Sequence, residues 1–130
     1  MRTTARETAF KIVFASRFDG GDMGELKRAL IKAEKLTDDD REYLDRLLKI
    51  IAEREEELLK LIDERSKSFP EAGLFLADKS ILIVALAEIL YMDDVPAVVS
   101  ASEAANIASK YSTPKSADFI SGILSEVIKK

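Results

Sequence analysis

Apolar residues along this chain recur at intervals of three and four, and no alternation runs long enough to give a strand. Ala9, Ile12, Val13 and Ser16, flanked by Phe10 and Phe14, make one broad face and predict a first helix over residues 3–18. Thr4 and Glu7 have the spacing of a capping box at its start. Asp19-Gly20-Gly21-Asp22 then interrupts it, because paired glycines suit turns and weaken helices. A short helix follows over 23–35, with Leu26, Ala29, Leu30 and Ala33 expected inward. Thr37 ahead of Asp38-Asp39-Asp40 is a start signal, since a threonine cap and early carboxylates both suit the positive end of a helix. Tyr43, Leu44, Leu47, Leu48, Ile51, Leu58, Leu61 and Ile62 keep the helical period to about residue 64. The run Glu53-Arg54-Glu55-Glu56-Glu57 has no apolar member, so a break or kink is expected there, on a solvated surface. Residues 66–77 carry the breakers Pro70 and Gly73, with Phe69, Leu74 and Phe75 expected to pin them to the core.

The stretch Ser80–Tyr91 is different. It is apolar on every side, with Glu88 the only charge, and Asp78 stands ahead of it as a candidate N-cap. A helix without a polar face belongs inside a protein, and this one is shorter than the roughly 20 residues that cross a bilayer. It predicts a central helix wrapped by the others. Pro96 and Thr113-Pro114 mark two further helix starts, the first leading to about Lys110 and the second carrying Phe119, Ile120, Ile123, Leu124 and Val127. The expected fold is therefore all-α, about seven helices in one domain over 1–130, with subdomains of approximately 1–66 and 67–130 around the central helix.

Composition removes most chemistry. There is no histidine and no cysteine, hence no ordinary general base, no thiol nucleophile and no disulfide. The glycine pair lacks the Lys-Ser/Thr of a phosphate loop. Asp38-Asp39-Asp40 lacks the glycine and distal glutamate of a calcium loop, and helix capping accounts for it. We expect no enzyme, no cofactor and no metal. No secretory or membrane segment is visible, which points to the cytoplasm.

The net charge of −4 argues against indiscriminate nucleic-acid binding, yet the first helix carries Arg2, Arg6, Lys11 and Arg17 against Glu7. Arg2, Thr3, Thr4 and Arg6 cluster at a helix start, where guanidinium forks and free N–H groups suit phosphate. Ordinary charged helix surface is the plain alternative. Lys115, Ser116 and Phe119 form a second candidate group at the head of the last helix, with a lysine for phosphate and a ring for stacking on a base. For Phe119 the plain alternative is core packing.

The opening ARETAFKIVFAS, the block ADKSILIVALAEILYMDDVP followed by SASEAANIASKYS, and the ending KSADFISGIL together resemble the bacterial NusB family of transcription antitermination factors. The likeness covers nearly the whole chain in order and spacing. It implies two perpendicular helix bundles. It also implies binding of boxA RNA together with ribosomal protein S10 (NusE), in a complex that loads onto RNA polymerase and promotes ribosomal RNA transcription. The resemblance carries RNA contact onto Arg2, Thr3, Thr4, Arg6, Lys115, Ser116 and Phe119, and an S10-facing surface onto Phe14, Phe18, Asp78 and Lys79. Glu88 matches a glutamate typical of the central helix, with a buried structural role and a contact role both open.

The chain departs from the family pattern in ways that weaken the positive surface. Three consecutive arginines are often found where Arg2-Thr3-Thr4 stands, a frequent central arginine is Ile83, and the residue before Phe119 is Asp118 rather than lysine. Ser102-Glu103 replaces an Asn-Glu pair, and Phe119-Ile120-Ser121-Gly122 replaces Phe-Val-Asn-Gly. These changes imply weak RNA binding alone and tighter binding with S10. Three other readings stay open: an accessory RNA-binding domain like that of ribosomal RNA cytosine-5 methyltransferases, which would need a catalytic partner; a protein-interaction module without RNA; and a homodimer closed over the basic face.

Overall fold

The computed structural model describes residues 2–21, 23–67 and 75–129. Among them are six helices and no strand: α1 (Arg2–Asp19), α2 (Met23–Ala33), α3 (Asp38–Ser66), α4 (Leu76–Tyr91), α5 (Ala97–Tyr111) and α6 (Pro114–Ile128). The predicted all-α class holds. The helix expected to divide near Glu53–Glu57 does not, and this takes the number from about seven to six among the described residues. Glutamate and arginine are good helix formers, and no glycine or proline interrupts them. Residues 52–57 are all exposed, so α3 passes one and a half turns through solvent between buried Ile51 and Leu58.

α4 is the centre. Every residue from Ser80 to Glu88 is buried, and the helix packs against α1, α3, α5 and α6. Full burial of side chains such as Leu82 or Leu86 is worth about 1.5–3 kcal/mol each, which explains why a segment with no polar face is stable only here. α1 contributes Ala5, Ala9, Phe10, Ile12 and Val13 to the core, while Ser16 is exposed. α2 lies at the periphery with no buried residue. Met23, Leu30 and Ile31 touch the core, whereas Ala29 and Ala33, expected inward, face solvent.

The start signals divide into two groups. Thr37 and Thr113 cap α3 and α6, their hydroxyls accepting from the N–H of Asp40 and Ser116, and Pro114 opens α6. The capping box at Thr4 and Glu7 does not form: the helix already runs from Arg2, and Glu7 is drawn to α5. Asp78 is not a cap either, since it lies inside α4 and the cap position is Phe75, whose side chain makes no capping bond. Gly20 takes φ +75° past the end of α1, as the glycine break requires. Of the residues expected to pin the α3–α4 connection, Phe69 and Leu74 lie outside the described residues, and Phe75 is exposed. None of the described helices is long and apolar enough to cross a membrane.

Candidate nucleic-acid interface

The N-terminal cluster is built on a buried ion pair. The Nε of Arg6 donates to both carboxylate oxygens of Glu88 on α4, at 2.8 and 2.7 Å, and its Nη1 donates to Glu103 on α5 at 3.1 Å. Tyr43 of α3 donates its hydroxyl to Glu88 as well. Arg6 is 4% exposed and Glu88 1%. Burial works against the Arg6 charge, but the field of Glu88 and their hydrogen bond outweigh it and hold the guanidinium above its ordinary value. Burial, and then the bond to anionic Glu88, push the Tyr43 hydroxyl up, so it stays a donor. Arg6, expected among the phosphate contacts at the surface, is instead turned inward: a cation with this much burial needs its carboxylates, and α4 and α5 supply them. Glu88 has the structural role.

Above this pair the outer layer is open. Arg2 is about half exposed, lies 4.6 Å from the centre of the Tyr43 ring and reaches Asp94 at 3.5 Å. Thr3 donates its hydroxyl to Glu103, and the carbonyl of Thr4 accepts from the hydroxyl of Thr8. Arg46 of α3, which the sequence pattern does not single out, also faces the Tyr43 ring and is bonded to Asp94. Arg2, Tyr43 and Arg46 line an open cleft of about 510 Å³, and Asp39, Asp40 and Glu42 of α3 line it too. The cations of α1, opposed within their own helix by Glu7 alone, each meet a carboxylate from another element: Asp94 for Arg2, Glu88 for Arg6, Glu34 for Lys11 and Glu55 for Arg17.

The second candidate group is centred on Asp78. Its carboxylate is buried and accepts from the hydroxyl of Ser112 at 2.8 Å and from that of Ser116 at 2.9 Å. Thr113 accepts from the Ser116 N–H and donates to the Ser116 hydroxyl, both at 3.0 Å. Ser116 is thus fully engaged in joining α4 to the α5–α6 corner. Phe119 is 7% exposed and sits in the core, so packing is its main contact, although it lines a groove of about 830 Å³ with Phe75 and Lys115. Lys115 is exposed on the rim. Arg6 meets α4 at Glu88 and the Ser116 group meets it at Asp78, ten residues away, so the two groups lie about 15 Å apart along the helix axis. The fold does not merge them into one patch.

Of the residues expected to face S10, Phe18 is 74% exposed, and its ring stacks on half-buried Phe14 at 6.0 Å. Lys79 is partly exposed. Asp78 is not a surface group, because the two serine hydroxyls and the first turn of α4 hold it inside. No group of three potential metal-ligating side chains occurs among the described residues.

Comparisons with known proteins fit this architecture. Residues 3–129 match the model of the NusB family. The transcription antitermination protein NusB of Natranaerobius thermophilus is 37% identical over 133 residues, covering 97% of this chain and 93% of its own. The protein of the same name from Ruminiclostridium cellulolyticum is 33% identical over 128 residues, 98% of this chain and 88% of its own. In a crystal structure of the antitermination factors NusB and NusE in complex with dsRNA, one chain superimposes with a TM-score of 0.86 at 22% identity, covering 98% of this chain and 96% of that one. At that identity the likeness speaks for the fold.

Proposed function

The chain belongs to the NusB family, and on that footing we propose that it is a transcription antitermination factor that binds boxA-type RNA together with S10 (NusE). In this reading it acts in the cytoplasm, within an RNA polymerase complex that promotes ribosomal RNA transcription. The observation that carries the reading is the layered N-terminus. The buried Arg6–Glu88 pair fixes the first turn of α1, and Arg2 is held half exposed above it on the Tyr43 ring. Arg2, Thr3 and Thr4 then meet the RNA backbone, while Arg6 positions them from beneath. Lys115 supplies a second phosphate contact on the groove that Phe119 also lines, within reach of a short single strand. Exposed Phe18, stacked on Phe14, offers S10 an apolar anchor, with Lys79 as a second contact. The named relatives, matched over most of their own length, are antitermination proteins, which supports that reading over the methyltransferase one.

Fluorescence anisotropy with labelled boxA RNA tests this, using the protein alone, S10 alone and the two together. Binding should be weak alone and tighter with S10. It should weaken in Arg2→Gln and Lys115→Gln, each with a shallower salt dependence and an unchanged fold. Absence of RNA binding in every combination would overturn the reading, and equal affinity with and without S10 would overturn its cooperative part. Arg6→Glu is a poor probe, since it would place a carboxylate against Glu88 and Glu103 inside the protein.

A further inference from the structure

The exposed arginines of the N-terminal cluster are already engaged by a carboxylate. Arg2 and Arg46 come from different helices, lie 4.6 and 5.8 Å from the centre of the same Tyr43 ring, and share one carboxylate, Asp94. Asp94 belongs to the short turn between α4 and α5, outside both helices, and is about half exposed. An RNA phosphate approaching Arg2 therefore meets a guanidinium whose partner is already in place. Resting on the RNA-binding reading above, we propose that Arg46 is a further RNA-phosphate contact paired with Arg2, and that Asp94 is an internal competitor which the phosphodiester displaces.

The physical case is a contrast between two layers. Removing Glu88 from Arg6 would leave a buried cation unpaired, so that pair does not open. The Asp94 contacts are solvent-exposed, and exposed ion pairs hold weakly and yield to salt or a competing anion. A phosphodiester offers oxygens that an arginine fork matches as well as it matches a carboxylate. The Tyr43 face keeps hold of both guanidinium groups through cation–π attraction once Asp94 has left, and Tyr43 is itself anchored through its hydroxyl to Glu88. Displacing Asp94 frees two cations together, one from α1 and one from α3, beside the carboxylates Asp39, Asp40 and Glu42 that line the same cleft. A chain that lacks a run of N-terminal arginines recruits a second one from a distant helix in this way.

The test is RNA affinity across a salt series for Asp94→Asn, Asp94→Ser, Arg46→Gln and the double variant Asp94→Asn/Arg46→Gln, with Asp63→Asn as a control for net charge. Labelled boxA-type single-stranded RNA is the probe, with S10 present. Asp94→Asn and Asp94→Ser should bind about two- to fivefold tighter than the parent at low salt, the range set by an exposed ion pair. Their dependence on log salt should stay close to the parent's, because the phosphodiester meets the same two arginines once Asp94 has left. Arg46→Gln should bind more weakly and remove the gain when combined with Asp94→Asn. Melting temperatures of both Asp94 variants near the parent's keep the comparison at constant fold. The proposal is overturned if both bind no tighter than Asp63→Asn, or if Arg46→Gln leaves affinity unchanged, while the parent protein still binds RNA. If the parent binds no RNA, the functional reading falls with it.

Discussion

Two buried carboxylates lie on the central helix, one near each end, and they are stabilised in different ways. Glu88 is met by an arginine and a tyrosine hydroxyl, and Asp78 by two serine hydroxyls. At the Glu88 end the interior holds a full ion pair linking four helices, α1, α3, α4 and α5. At the Asp78 end no cation of the described residues bonds to the carboxylate. Neutral donors and the start of α4 stabilise it, and the bonds lock only the α4–α5–α6 corner. The difference teaches that a network of opposite charges holds elements distant in sequence and fails badly when one member is lost. A hydroxyl cage is local and degrades by smaller steps.

The comparison can be broken most forcefully at Arg6. Arg6→Ala or Glu88→Ala strands an uncompensated charge and should cost about 3–5 kcal/mol in urea unfolding. Replacing both together, Arg6→Met with Glu88→Leu, should recover much of that loss, the remainder lying with the Tyr43 hydroxyl left without its acceptor. Failure of the double variant to recover would show that the hydrogen-bonding geometry, and not the charge, sets the order of this end. Asp78→Ala comes next. It leaves two hydroxyls without their acceptor and should cost about 1–3 kcal/mol by the same measurement. A loss as large as that of Glu88→Ala would erase the distinction between the two ends. Thr113→Ala, which removes the α6 cap, should cost about 1 kcal/mol.

The smallest expected effect is one of pH. Burial raises the Glu7 carboxyl, but the hydrogen bonds from Lys110 and Tyr111 outweigh it, so the group sits below its ordinary value of 4.5. A group depressed in the folded state stabilises the fold above its unfolded value and loses that contribution as pH falls through its folded value. Melting temperature should therefore decline below about pH 4.5, and the decline should be shallower in Glu7→Gln. Equal slopes in the two proteins would remove Glu7 from the α1–α5 contact.

Patterns within a helix or two could be read directly from the sequence. The central helix was legible because no other segment lacks a polar face, and Thr37 and Thr113 were legible because a cap acts on N–H groups two or three residues away. Gly20 was legible for the same local reason. The charge run of α3 misled, since a gap in the apolar stripe resembles a break, yet α3 needs only propensity to cross it. The candidate site was legible as a set of residue types and no further. Arg2, Arg6, Lys11 and Arg17 read as a net positive end, with only Glu7 against them, because their carboxylates stand far along the chain, at Asp94, Glu88, Glu34 and Glu55. Arg46 carries no such signal in the sequence, because it joins Arg2 only across the α1–α3 packing. What the sequence by itself determined was where helices form and which one must be inside, since propensity, capping and hydrophobic periodicity act over a few residues. Which charges are buried, which are paired and which remain for a partner was decided only when the helices packed, because electrostatic interaction depends on distance in space and solvent exposure, and neither is written in the order of the chain.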